Sequence, residues 1–255
     1  MKKLLKYVIA DIIQNKIVLL YTALLLIISL SVFNLENSSA KGLLSLLNII
    51  LILVPLICII FSTIYMYNSA EFIELLVSQP LKRRTIWLSL FTGLAVSLSV
   101  AYFIGVGIPI LLYHADATGI IMIITGLFLT VVFVSIALLS AGLTRDKAKG
   151  IGLSISFWLY FSLIFDALIL FLLFQFQDYP LEKIMVILSF LNPIGLSRVQ
   201  ILLQMDISAL MGYTGAIFRE FFGNSTGIIL SFIGLCVWAI IPLMISLKKF
   251  KHKDL

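Results

Sequence analysis

The chain has 255 residues, 62% of them apolar and only 12% charged, with a formal net charge of +6. A soluble domain carries roughly 45–50% apolar and about 25% charged residues, so no soluble core hides this excess and the chain reads as an integral membrane protein. The surplus of cations, which in a soluble protein would point to nucleic acid, must here be read by its position along the chain.

At the N-terminus, "MKKLLKYVIADIIQNK" places Leu4, Leu5, Val8, Ile9, Ile12 and Ile13 on one helical face, with Lys3, Lys6 and Asp11 elsewhere. That pattern predicts an interfacial helix over 1–16, lying in the cytoplasmic headgroups before the first span. A helix needs about 20 apolar residues to cross about 30 Å of hydrocarbon. Six runs qualify: 17–33, 43–67, 86–113, 119–143, 151–174 and 227–247. The first is too long, and too unlike a cleavage site at its flanks, for a removable signal peptide. Backbone groups cannot go unpaired in lipid and no run alternates as a barrel strand does, so the fold is predicted to be an all-α, six-helix transmembrane domain over 1–255.

Orientation follows from Lys and Arg. Lys2, Lys3, Lys6 and Lys16 precede span one; Lys82, Arg83 and Arg84 follow span two; Arg145, Lys147 and Lys149 follow span four; Lys248, Lys249, Lys251 and Lys253 follow span six. The positive-inside rule makes that side cytoplasmic, with both termini on it. The other side holds Lys41, Lys183, Arg198 and Arg219 among more numerous acids. "IMVILSFL" (Ile184 to Leu191) is too short for a seventh span, so 178–226 reads as an external excursion of short helices that dip into the membrane or lie on it.

Between spans two and three lies "NSAEFIELLVSQPLKRRTIW". Asn68 is placed to cap a helix, with Glu71 reaching back. Phe72, Ile73, Leu75, Leu76 and Val77 form a broad apolar face, Pro80 stops the helix, and Lys82, Arg83 and Arg84 pin the segment at the surface. A solvated loop whose cations merely fix topology would explain the charges. It would not explain five apolar residues set to meet water, which point to a protein partner or the membrane.

Within the spans, Gly93, Ser97, Ala101 and Gly105 recur every four residues, a register that lets helices approach closely inside the bundle or against a second copy. Pro55 and Pro109 are expected to kink their helices. Asp166 is the only acidic residue deep in a span and is read as a buried polar group. Two roles stay open: a functional charge serving a proton, an ion or a polar partner helix, or a protonated side chain gluing helices together. No cationic partner is visible in the other spans.

Chemistry is sparse. There is no G-x-x-x-x-G-K-[ST] phosphate loop and no H-E-x-x-H; Cys58 and Cys236 stand alone in apolar runs and read as packing. His114 and Asp116 share a short outer loop, too few ligands to assign a metal. Met185, Met205 and Met211 are soft ligands suited to copper, although methionine in apolar segments usually packs. No catalytic, cofactor or metal site is assigned, and the chain is not expected to be an enzyme.

An interfacial helix, six spans and a cytoplasmic segment between spans two and three resemble the permease subunits of type-2 (ABC-2) ABC exporters. "EFIELLVSQPLKRR" is similar to that family's acidic, leucine-rich "P-x-x-R" segment through Glu71, Glu74, Leu75, Leu76, Pro80, Arg83 and Arg84, with Phe72-Ile73 in place of the usual Gly-Thr. The resemblance implies that 68–85 docks into a separate ATPase subunit, that ATP is held there and no cofactor here, and that the permease is a homodimer in the inner membrane flanked by two ATPases. More narrowly, "FDALIL" around Asp166 and "LNPIGLSRVQ", with Asn192, Pro193 and Arg198, look like the membrane subunit of NosDFY systems, which serve copper-site maturation of nitrous oxide reductase in denitrification. That likeness implies an external, copper-handling partner meeting Asn192, Pro193 and Arg198. The family's acidic residue after "LNP" is absent, Gly195 standing near its place. The alternatives are a general ABC-2 exporter of an amphiphilic substrate and an ion-coupled carrier using Asp166.

Overall fold

The computed structural model describes residues 2–35, 39–176, 182–205 and 212–251, with side chains omitted at 2–3, 39–40, 182–183, 185–186 and 212–224. Among the described residues, six helical stretches are long and apolar enough to cross a membrane: Lys16–Leu35, Lys41–Asn68, Arg83–Tyr113, Ala117–Leu143, Lys147–Gln175 and Ser225–Lys251. Each coincides with one of the six apolar runs.

The N-terminal helix α1 (Lys2–Ile13) is separate from α2 (Lys16–Leu35), because Asn15 Oδ1 accepts the Ile17 N–H at 2.9 Å and starts the second helix. Val8 and Ile12 of α1 are fully buried. They pack on α5 (Arg83–Tyr102), so this face of the expected interfacial helix is turned into the bundle. A Cβ at Gly93 would sit 2.4 Å from Val8 Cγ1, and Ser97 Oγ reaches the Ile9 carbonyl at 3.5 Å. Further along, Gly105 takes α2: its Cβ would be 2.6 Å from Leu25 Cβ. The small-residue stripe is thus filled from within the chain, by α1 and then by α2.

Proline 109 shapes this third span. It has no N–H to give the Gly105 carbonyl four residues back, and its ring crowds that turn. The helix widens into a π-turn, Phe103–Gly107, before resuming as α6 (Ile108–Tyr113). Ser29 of α2 donates its hydroxyl to the Gly105 carbonyl at 2.7 Å, satisfying an acceptor that would otherwise be orphaned in lipid.

The hub is α7 (Ala117–Leu143), which packs on α3 (Ser39–Asn68), α5, α11 (Pro193–Met205) and α12 (Gly212–Lys251). Val132, Phe133, Ala137 and Leu138 are fully enclosed. Thr125, Thr130, Ser135 and Ser140 each donate to the carbonyl four residues earlier, so the helix satisfies its own hydroxyls. Spans one, five and six bury only 22%, 17% and 22% of their most apolar windows, against 67% for α7, and so form the rim that faces lipid or other subunits.

Within the expected excursion of short helices, one helix does dip into the bundle, and the C-terminal part is corrected. Helix α11 is sunk between α7 and α12, with Leu196, Ile201 and Leu203 at most 1% exposed; Gly234 of α12 admits Leu196, whose Cδ1 would lie 2.8 Å from an added Cβ. Residues 212–226 are not part of a loop but continue the last helix. Residues 178–181 and 206–211, with Met211, lie outside the described residues, as does the side chain of Met185. Met205 packs against the core.

The cations that bracket the spans gather at one end. Arg83 Nη1 donates to the Lys251 carbonyl at 3.2 Å, Trp87 Nε1 to Ser246 Oγ at 3.0 Å, and Trp87 stacks on Phe250 at 4.3 Å. Lys147 Nζ donates to Asn68 Oδ1 at 2.8 Å. The first and last helices therefore end on this basic side.

Candidate functional site

At the basic end, α3 runs to Asn68 and hands over to a short helix, α4 (Ala70–Val77). Asn68 does not cap it, contrary to expectation: Ser69 holds the cap position without a side-chain bond, and Asn68 is taken by Lys147. Helix α4 closes where Ser78 N–H returns to the Glu74 carbonyl and Ser78 Oγ to that of Leu75; Pro80 follows, and extended Lys82 leads into α5.

The five apolar residues do not share one exposed face. Ile73 and Leu76 are 4% and 7% exposed and anchor α4 to the bundle; Phe72 and Val77 are half-buried; Leu75 is 65% exposed. Burying Ile73 and Leu76 is worth about 1.5–3 kcal/mol each, which holds an eight-residue helix too short to persist alone. Leu75 gains nothing from the fold. The same helix carries exposed Glu71 and Glu74, exposed Leu81 follows it, and Tyr7 of α1, itself 60% exposed, has its ring 5.7 Å from Phe72. Lys82 and Arg84 are exposed at the edge, while Arg83 is spent on α12. Tyr7 was not singled out from sequence; its place one turn after Lys3, off the apolar face of α1, was the available signal.

The end of α3 that carries α4 is fastened to two neighbours. Tyr65 hydroxyl donates to Asp11 Oδ2 of α1 at 2.9 Å, and Tyr67 hydroxyl bonds Thr144 at the end of α7. Tyr67 can reach because residue 150, on α8 (Lys147–Leu159), is glycine: a Cβ there would lie 2.1 Å from the Tyr67 hydroxyl. Deeper, Thr63 and Ser154 hydroxyls meet at 2.7 Å. The end of α3 that carries α4 is therefore tied to α1, α7 and α8 at once.

A second polar cluster lies toward the far end of span five, which breaks into a π-turn, Tyr160–Ile164, between α8 and α9 (Phe165–Gln175). Phe165 N–H bonds back to the Tyr160 carbonyl, and the Phe161 carbonyl instead accepts Asn192 Nδ2 at 3.0 Å. Asn192 Oδ1 in turn takes the Ile194 N–H at 3.0 Å, starting α11. Asn192 is 2% exposed and Pro193 is buried, so both are joints inside the chain rather than contacts for an external partner. Asp166 is not a fully buried lone acid: its Oδ2 lies 2.9 Å from Arg198 Nη1, with side chains 36% and 37% exposed. The missing cation stands on α11, outside the spans. The pair, Asn192, Ser189 and Gly195 line a pocket of about 60 Å³. In the outer loop Asp116 is committed to capping α7 through the Gly119 N–H at 2.9 Å. Among the described residues no three His, Cys, Asp or Glu side chains gather as a metal site.

The match to known proteins fits this architecture. The model of the ABC-2 family transporter protein matches residues 3–255. This chain belongs to the ABC-2 transporter family. Among curated relatives, the "Probable ABC transporter permease protein NosY" of Stutzerimonas stutzeri is 24% identical over 223 residues, covering 82% of this chain and 79% of the relative. The chain is accordingly an ABC-2 permease subunit, a multi-pass inner-membrane protein whose family membership implies an ATPase partner.

Proposed function

We propose that this permease couples a separate ATPase to movement across the membrane through α4. The observation that carries this reading is Leu75, 65% exposed on a helix whose other large apolar residues are wholly or partly packed. An exposed leucine flanked by Glu71, Glu74, Phe72 and Tyr7 suits a cleft on a soluble partner. The basic end is then the cytoplasmic one, with Lys82 and Arg84 at the headgroups, and both termini are inside. ATP binds the partner, and this chain carries out no catalysis. Closure of two ATPases would press α4 of each of two permease copies, and α3 would relay the push through Tyr65 and Tyr67.

The finer assignment rests on the NosY-like relative and on the Asp166, Asn192 and Arg198 cluster: a role in copper-site assembly of nitrous oxide reductase with a periplasmic partner at the far end. With Asn192 and Pro193 enclosed, that partner would meet neighbouring surface, such as exposed Leu191. The test is purification of the tagged permease from its native host with mass spectrometry of what accompanies it. Leu75→Asp is expected to insert normally and lose the ATPase. Retention of the ATPase at wild-type level would sink the role of α4, and recovery of an ATPase with no external protein would favour a general exporter.

A further inference from the structure

Beside the clamp at the basic end lies an open groove of about 700 Å³ between α5 and α12. Arg84 and Leu88 line it from one face of α5; Met244, Leu247, Lys248 and Lys251 line it from one face of α12. The floor is aliphatic and the rim carries three cations from two helices. Among the described residues, no carboxylate pairs with Arg84, Lys248 or Lys251. The two walls are held in register by the Arg83 bond to the Lys251 carbonyl, by Trp87 on Ser246 and by the Trp87–Phe250 stack.

The geometry points to a binding site for one anionic glycerophospholipid, its phosphate among Arg84, Lys248 and Lys251 and an acyl chain along Leu88, Met244 and Leu247. Charge complementarity selects this occupant. A second copy related by a two-fold axis through the groove would set three cations against the same three. A soluble partner cannot follow the floor, which belongs to the membrane span Ser225–Lys251. An anionic lipid meets both demands, with phosphate at the interface and hydrocarbon beneath it.

Thermal-shift titration of the detergent-purified permease with dioleoylphosphatidylglycerol tests the site, with dioleoylphosphatidylcholine and inorganic phosphate as parallel arms and native mass spectrometry counting retained lipid. Each cation near an anionic headgroup is worth about fivefold in affinity, so the triple variant Arg84→Gln, Lys248→Gln, Lys251→Gln is expected to raise the half-saturating phosphatidylglycerol concentration roughly a hundredfold. Lys149→Gln, an exposed cation at the same end, is expected to change it little. Met244→Trp keeps every charge but fills the floor and is also expected to weaken binding; Met244 is 66% exposed, so folding tolerates the change. The proposal is overturned if the triple variant titrates like wild type, or if phosphatidylcholine or inorganic phosphate stabilises as strongly as phosphatidylglycerol. It is equally overturned if Met244→Trp turns a dimer into a monomer while the lipid titration stays unchanged.

Discussion

Severing the Asp166–Arg198 pair tests whether span five and α11 are held together by charge. The contact is a single 2.9 Å bond between side chains about one-third exposed. An exposed pair contributes about 0–1 kcal/mol and breaking a buried one costs about 3–5 kcal/mol, so this intermediate pair is worth about 2 kcal/mol. For a chain of this size, about 2 kcal/mol corresponds to roughly 4–8 °C in unfolding temperature. The assay is thermal unfolding in one detergent at one scan rate, since membrane proteins seldom refold after heating. Asp166→Asn and Arg198→Gln are each expected to lose about that amount, and the double variant to lose little more than either alone. The charge-swapped double, Asp166→Arg with Arg198→Asp, should recover part of the loss. If the single losses simply add to within about 0.5 kcal/mol, the two groups are not coupled and the reasoning fails.

Three further substitutions probe the third span. Ser29→Ala leaves the Gly105 carbonyl without its hydroxyl and is expected to cost about 1–3 kcal/mol; adding Pro109→Ala restores a backbone donor, so the double variant should be the more stable of the two by thermal unfolding. Gly93→Val drives a branched side chain into Val8 and is expected to cost about 1–3 kcal/mol while lifting α1 from α5, read as faster proteolysis between Ile13 and Lys16; unchanged protection would show that α1 seats elsewhere.

The spans were legible because a run of about 20 apolar residues has one stable answer in lipid. The small-residue stripe was legible as a close approach, though not its occupants: four-residue spacing says that a helix comes near, and only the fold says that Val8 and Leu25 are what come. The α4 segment was located but misread in detail. Treating its five apolar residues as one face ignored the helical period, which sets Ile73 and Leu76 about one turn apart and Leu75 well off that line. Asp166 appeared solitary because its partner lies 32 residues on and outside the spans, a distance no local pattern crosses. The π-turn at Tyr160–Ile164 contains neither proline nor glycine and so left no mark in the sequence, whereas Pro109 announced the other.

Helix α12 runs unbroken for 40 residues, from Gly212 to Lys251. At about 1.5 Å per residue it is a rod of about 60 Å, twice the hydrocarbon thickness it must cross. Its basic end is pinned to α5 by the Trp87 stack and the Arg83 bond, and Pro242, which has no N–H for the Trp238 carbonyl, sets a pivot just before that anchor. Tilting the stretch before Pro242, about 45 Å long, by about 5° sweeps its tip through about 4 Å. Work done at one membrane face can thus arrive at the other as a displacement, with nothing passing through the bundle between them.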